Sequence, residues 1–491
     1  MRQLLGLALP IMISCMLGFL MNVVDLQFVG HLGTDELAAA ALGNALWATV
    51  ALPLQGCAGA LDTFLSQAYG AKQFAAYGQW VQVATLCMTA LSIPVACFLG
   101  LAEPMLRSIG QDPLIARSAG HFCLGLIPGV PPFIAFLCLS KCLQAQHILA
   151  PAIYVALVAN AFNVLANWLL IYKLGLGLAG APIATSLSRW AQLLLLLGYL
   201  LRSRKRLGST LPGLSVGDWG QLCSFARRFF RLGAPGALML ALEAWSFDLS
   251  TVMAGYLGAL SLDAHTILLN TISFTFVSFP LALGIAAAIR VGHSLGAGDG
   301  HAARLTAKLT VFCSLAFMSS LALIKLAARH VLGYLFTSEV DVVAKVSSLV
   351  LIASLFQISD GLQAAVAGIM RGMGRQTLVA WLNFVGFWLI GIPLGACLTF
   401  GLRIGVAGLW WGLFAGLTSV ASIGVVALLR TDWQAEARQA LARVNTQQKA
   451  EQGMATTSTA MPDSSIEIVA EVVVPATSPT EDCVRVSHTV V

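Results

Sequence analysis

Residues 234–258 read APGALMLALEAWSFDLSTVMAGYLG. A run of about twenty mostly apolar residues makes a helix long enough to cross the hydrocarbon of a bilayer. Two carboxylic acids, Glu243 and Asp248, interrupt this run. A matching stretch lies near the N-terminus, where residues 9–33 read LPIMISCMLGFLMNVVDLQFVGHLG. Leu9-Pro10 recurs as Ala234-Pro235, and Gly30-His31-Leu32-Gly33 as Gly255-Tyr256-Leu257-Gly258, both at an offset of 225. With small slips in register, Tyr69-Gly70-Ala71 meets Leu295-Gly296-Ala297, and Gly177-Leu178-Ala179-Gly180 meets Gly405-Val406-Ala407-Gly408. Matches in this order predict an internal duplication.

The rest of the 491 residues fits that frame. Charged residues make up 10% and hydrophobic residues 58%, whereas an ordinary globular domain carries roughly 25% charge. These side chains cannot supply the polar surface of a soluble fold, so lipid is the solvent for most of the chain. Span-length apolar runs lie at 5–29, 36–60, 80–101, 120–140, 150–172 and 178–201 in the first half. The second half has them at 232–256, 264–289, 305–327, 345–369, 378–400 and 405–429. The expected fold is an all-α polytopic membrane protein with twelve transmembrane helices, arranged as two six-helix lobes related by pseudo-two-fold symmetry. Parallel repeats of this kind are a transporter architecture. The predicted parts are an N-terminal lobe at 1–201, a cytoplasmic linker at 202–231, a C-terminal lobe at 232–430 and a cytoplasmic, mostly disordered tail at 431–491.

Loop charge predicts the orientation. With the N-terminus inside, the inner segments hold fourteen basic residues, among them Lys141, Arg290, Arg371 and the basic cluster of 202–231; the outer loops hold six. Both termini are therefore expected in the cytoplasm. The first apolar run is too long for a cleavable signal peptide and lacks a small-residue cleavage pattern. Eleven cysteines, mostly in or beside apolar runs and without metal-ligand spacing, read as small buried apolar residues. No metal or cofactor is expected, and a net charge of +6 leaves no dense nucleic-acid footprint. After Arg430, Asp432 to Val444 reads as a short surface helix, and from Gln447 onward the composition turns to that of a disordered tail. The terminal Thr489-Val490-Val491 is a candidate peptide for a domain that captures C-terminal carboxylates.

Charges inside spans are costly and mark function by default. Asp25, Glu243, Asp248 and Asp360 qualify, with Asp62 near the inner end of the second span. Glu243 and Asp248 stand about 140° apart on their helix and need not share a cavity. Few cations match their depth: Arg189 is the obvious one, because Lys325 lies close enough to a span end to extend toward the lipid headgroups. A carboxylate left unpaired in apolar surroundings favours its protonated form, and water or a cationic ligand favours release of the proton. One such group can therefore exchange a proton for an organic cation. Asn163 and Asn167, four residues apart, share a face of the fifth span, and Thr185 lies in the sixth; such groups orient a carboxylate or cross-link helices. Trp245, Trp381 and Trp388 are aromatic candidates for holding a flat cation.

These features resemble the multidrug and toxic compound extrusion (MATE) family, eukaryotic branch. The likeness runs from residue 1 to about 430. It rests on Phe28-Val29-Gly30-His31-Leu32-Gly33, the stretch from Leu61 to Ala71, Gly110-Gln111-Asp112-Pro113, Leu143-Gln144-Ala145-Gln146, Arg290 to Gly298, and Gly368-Ile369-Met370-Arg371-Gly372. The resemblance implies export of organic cations or other amphiphiles, driven by inward movement of protons or, in some members, sodium. It implies that Glu243 and Asp360 are the acids of spans seven and ten, and that Asp248 is a second acid of the animal-type pattern. Asp25 departs from the eukaryotic pattern and resembles the first-span aspartate of prokaryotic members, whose polar companions stand where Asn163, Asn167 and Thr185 do. The implied location is a plasma membrane or a vacuole-like endomembrane.

Competing functions are weaker. An exporter of organic anions or specialised metabolites, or a lipid flippase, needs basic residues in the cavity, and Arg189 is nearly alone. An intramembrane enzyme needs a nucleophile–base or metal constellation such as HExxH, which the chain lacks. No phosphate-binding glycine loop indicates an ATP-driven pump.

Overall fold

The twelve apolar runs are helices, and most extend beyond the run that marks them. The computed structural model describes residues 1–210 and 219–458. In the first half the helices are α1 (Arg2–Gly30), α2 (Thr34–Gly70), α3 (Phe74–Gly100), α4 (Pro113–Ala145), α5 (Ala150–Lys173) and α6 (Gly177–Arg202). In the second half they are α7 (Leu222–Gly255), α8 (Ala259–Gly296), α9 (Gly300–Ala327), α10 (Val340–Met373), α11 (Gln376–Gly401) and α12 (Val406–Leu429). A further helix, α13, covers Trp433–Ser458.

Local chemistry sets many of the ends. Asp112 caps α4 by accepting from the backbone of Leu114 at 2.8 Å and Ile115 at 3.3 Å, with Pro113 in the first turn. Asp299 caps α9 through Ala302 N at 2.8 Å. These side chains satisfy amides that a helix start leaves without partners. Helix α8 is broken at Phe279, with φ −146°, because Pro280 follows; proline lacks the N–H and pushes the preceding residue out of the helical region. The fifth helix of each half widens to π geometry near its end, at Trp168–Lys173 and Cys397–Gly401.

Small residues let the helices touch. Gly408, Gly412 and Gly416 form a one-turn-spaced strip on α12, and a Cβ at Gly412 would lie 2.3 Å from the Gly395 nitrogen of α11. Lipid gives no hydrophobic drive for helices to associate, so close backbone contact of this kind is what holds them. Trp80, Tyr77, Phe64 and Phe122 centre the core of the first half, and Phe356, Phe387 and Trp410 that of the second.

The structure adds to two sequence expectations. The stretch 219–231 of the expected linker is helical: a helix begins at Trp219 and runs unbroken into the seventh span. Its residues Phe225 and Phe229 are buried in the core of the first half, Phe225 lying edge-on to Trp80 at 4.8 Å. The tail is helical to Ser458. Trp433, Ala437, Ala440 and Val444 are buried on one stripe of α13, while Gln434, Arg438 and Gln439 are exposed, so the expected surface helix is held to the bundle by one face. The remainder of the predicted disordered tail, with Thr489-Val490-Val491, lies outside the described residues, as does 211–218 of the linker.

The two halves close on each other at one end. There Leu4, Leu7 and Ile11 of α1 pack with Phe279 and Leu283 of α8. A Cβ at Gly70 would meet the His293 carbonyl at 2.2 Å, and one at Gly296 the Gln67 carbonyl at 2.1 Å. Glycine is required where backbones pass this closely.

Candidate functional site

Each half sets an acid among amides. In the N-terminal lobe, Asp25 of α1 is 3% exposed. Its Oδ1 accepts from Asn167 Nδ2 at 2.7 Å and Asn163 Nδ2 at 3.2 Å, both on α5. Thr185 of α6 donates its hydroxyl to Oδ2. The four-residue spacing of the asparagines puts both amides on one face of α5, so the constellation read from the sequence is assembled in space. Arg189, one turn beyond Thr185, is buried and stacks over Trp47 at 4.1 Å and Phe133 at 5.2 Å. Its Nη1 has no hydrogen-bond partner among the described residues.

The C-terminal lobe repeats the plan with different residues. Glu243 Oε2 accepts from Gln363 Nε2 of α10 at 3.0 Å, and Asn383 Nδ2 of α11 lies 3.4 Å away. Asn383 Nδ2 also donates to Met239 O at 3.0 Å. In both lobes the acid stands on the first helix and an amide on the fifth. The 225-residue offset maps Glu243 onto position 18, seven residues before Asp25, so the C-lobe acid lies about two turns nearer the closed end. Asp360, 3% exposed on α10, precedes Gln363 by three residues and is within electrostatic reach of Glu243 and Lys325. Gln357, one turn before Asp360, is fully buried, and neither its amide nitrogen nor its oxygen has a partner among the described residues.

Other predicted residues stand apart. Asp62 is no companion of Asp25: Lys141 Nζ donates to its two oxygens at 2.7 and 2.9 Å, and Arg371 Nη1 lies at 3.4 Å. It joins α2 and α4 of one lobe to α10 of the other, at the closed end. Thr63 Oγ1 donating to Arg371 O at 2.5 Å and Gln67 Nε2 to Gly372 O at 3.0 Å belong to the same seam. Asp248 is exposed and makes no ion pair or hydrogen bond among the described residues, in keeping with its turn away from Glu243. Trp388 packs on α7, donating to Leu242 O at 3.0 Å beside Glu243. Trp245 is 39% exposed, and Trp381 is 62% exposed. Trp381 stands two residues, about 200° around the helix, from buried Asn383, so it faces away from the acids. Lys325 does not extend outward: its ammonium donates to Thr275 Oγ1 at 2.7 Å inside the lobe. Gln363 and Asn383 were not singled out from the sequence, although an amide within an apolar run is a signal of the same kind as Asn163.

A duplicated twelve-helix bundle with a buried acid in each half is the build of a secondary transporter. The family model described as MatE matches residues 10–169 and 235–397. Protein DETOXIFICATION 16 of Arabidopsis thaliana is 33% identical over 90% of this chain and 90% of its own length. Multidrug and toxin extrusion protein 1 of Xenopus tropicalis is 34% identical over 90% of this chain and 76% of its own length. The crystal structure of the eukaryotic MATE transporter AtDTX14 superimposes with a TM-score of 0.85 at 31% identity, covering 90% of this chain and 98% of that one. The chain belongs to the MATE family of multidrug and toxin extrusion transporters and is a multi-pass membrane protein.

Proposed function

We propose that the chain is an antiporter that exports organic cations in exchange for protons, with both termini in the cytoplasm and the closed end facing inward. The observation that carries this reading is the C-lobe pair, half-buried Glu243 and buried Asp360, set among amides with Lys325 within electrostatic reach of Asp360 and Arg371 within reach of Glu243. Ionising both in such a place carries a desolvation cost that either a proton or a positively charged ligand relieves. The two guests therefore compete, and that competition couples their opposed movements. Gln363 and Asn383 orient the Glu243 carboxylate, while Asp360 and Gln357, which has no partner among the described residues, offer further polar contacts.

Sodium is the second reading, and the N-lobe cluster favours it. Asp25 holds its carboxylate beside the Thr185 hydroxyl and two asparagine amides, and Asn167 Oδ1 is buried without a partner among the described residues; hard cations take carboxylate, hydroxyl and amide oxygens as ligands.

The test is uptake of a cationic dye into proteoliposomes under separately imposed proton and sodium gradients. Proton-driven uptake is expected to collapse in Glu243→Gln and Asp360→Asn at unchanged protein level. Normal transport by both variants would overturn the carboxylate mechanism. Uptake driven by sodium alone and lost in Asp25→Asn would move coupling to the N lobe.

A further inference from the structure

Lys325 lies near the end of α9, yet its ammonium turns into the C-terminal lobe. It donates to Thr275 Oγ1 at 2.7 Å and lies 3.4 Å from Thr271 O. A cavity of about 10 Å³, room for roughly one water, lies against it, lined by Thr271, Ile272, Val350, Ala353 and Ser354. The Ser354 hydroxyl is buried without a partner among the described residues. From Ser354, Gln357 and Asp360 follow at steps of three along α10. Lys325 thus heads a polar stripe that ends at Asp360.

That placement fixes a charge balance. Glu243 and Asp360 together offer two negative charges, and the ammonium is a resident positive charge within electrostatic reach of Asp360; Arg371, within reach of Glu243, is already paired with Asp62. With both acids ionised, Glu243, Asp360 and Lys325 together carry one net negative charge rather than two. A singly charged guest neutralises it; a doubly charged guest overshoots and meets the repulsion of a lysine in a low-dielectric interior. We propose that Lys325 is a specificity-determining residue that matches the C-lobe site to organic monocations and disfavours dications. This rests on the reading that the C-lobe acids form the binding site. Thr275 contributes by tethering the ammonium inside the lobe.

The experiment measures the KM for tetraethylammonium uptake into proteoliposomes and its inhibition by methyl viologen, a dication, in the full-length protein. Lys325→Gln is expected to improve inhibition by the dication on the order of tenfold relative to the monocation KM, the scale of one charge–charge contact at intermediate dielectric. Lys325→Arg, which keeps the charge, is expected to retain the wild-type ratio. Thr275→Val frees the ammonium to approach Asp360 and is expected to raise the monocation KM. An unchanged ratio in Lys325→Gln overturns the proposal, as does Lys325→Arg shifting it equally. If Lys325→Gln does not yield folded protein, an unaltered monocation KM in Thr275→Val overturns it instead. Should Glu243→Gln still carry tetraethylammonium, the binding-site reading fails. Loss in Glu243→Gln with an unmoved ratio in Lys325→Gln rejects the lysine's role alone.

Discussion

The amide nitrogen of Asn383 meets the Met239 carbonyl at 3.0 Å and lies 3.4 Å from Glu243 Oε2, whereas Gln363 reaches Glu243 at 3.0 Å without tying down α7 backbone. The two amides therefore separate orientation of the acid from helix cohesion. Gln363→Leu is expected to raise substrate KM with little change in thermal unfolding. Asn383→Leu is expected to do both, costing about 1 kcal/mol for the lost interhelical hydrogen bond, read as a lower unfolding temperature in detergent. The N-lobe cluster was legible because its residues announce themselves: an aspartate in an apolar run and two asparagines one turn apart. The C-lobe amides sit on two different helices, and their convergence depends on tertiary packing that no local spacing encodes. Trp381 shows the reverse: a ring inside a span counts as cavity surface until the phase of its helix is known.

Helices α11 and α12 depend on the strip Gly408, Gly412 and Gly416, where backbone rather than side chain makes the contact. Gly412→Val places two methyl groups where the Gly395 nitrogen lies 2.3 Å from a Cβ. It is expected to abolish a monodisperse peak in detergent chromatography, while Gly198→Val, whose Cβ meets nothing within 4 Å, leaves the peak intact. The number and order of the spans could be read from apolar runs alone, because bilayer thickness fixes their minimum length. Their full extent could not. The helix from Trp219 into α7 and the anchoring of α13 arise where helices leave the hydrocarbon and pack on protein, and hydropathy carries no signal there. Lys325 was misread for a related reason: proximity to a span end permits an outward reach but does not dictate it, and the Thr275 hydroxyl wins the ammonium.

At the closed end of the molecule, the His147 ring stacks on His293 with centroids 4.7 Å apart, and His293 stacks on Tyr69 at 5.1 Å. His147 and Tyr69 come from one lobe and His293 from the other. Burial and then the nearby Arg290 guanidinium hold His147 below the usual imidazole range. A depressed histidine resists protonation while packed, so the seam is fully stable above about pH 6.5 and weakens as pH falls below it. Spin labels at Lys72 and Ala297, which line the same cavity beside this stack, are expected to move apart on acidification, and His147→Gln is expected to flatten that response. The duplication was visible in the sequence as recurring glycines; the stagger of the two acids was not, because Asp25 and Glu243 do not align within the repeat. That stagger has an electrical consequence. Two helical turns are about 11 Å of a hydrocarbon layer about 30 Å thick. From the open end, an ion that reaches Glu243 crosses roughly a third more of the transmembrane voltage than one stopping at Asp25, about 0.8 kcal/mol per 100 mV. Loading of the deeper acid draws on membrane potential, and loading of the shallower one more on concentration difference alone.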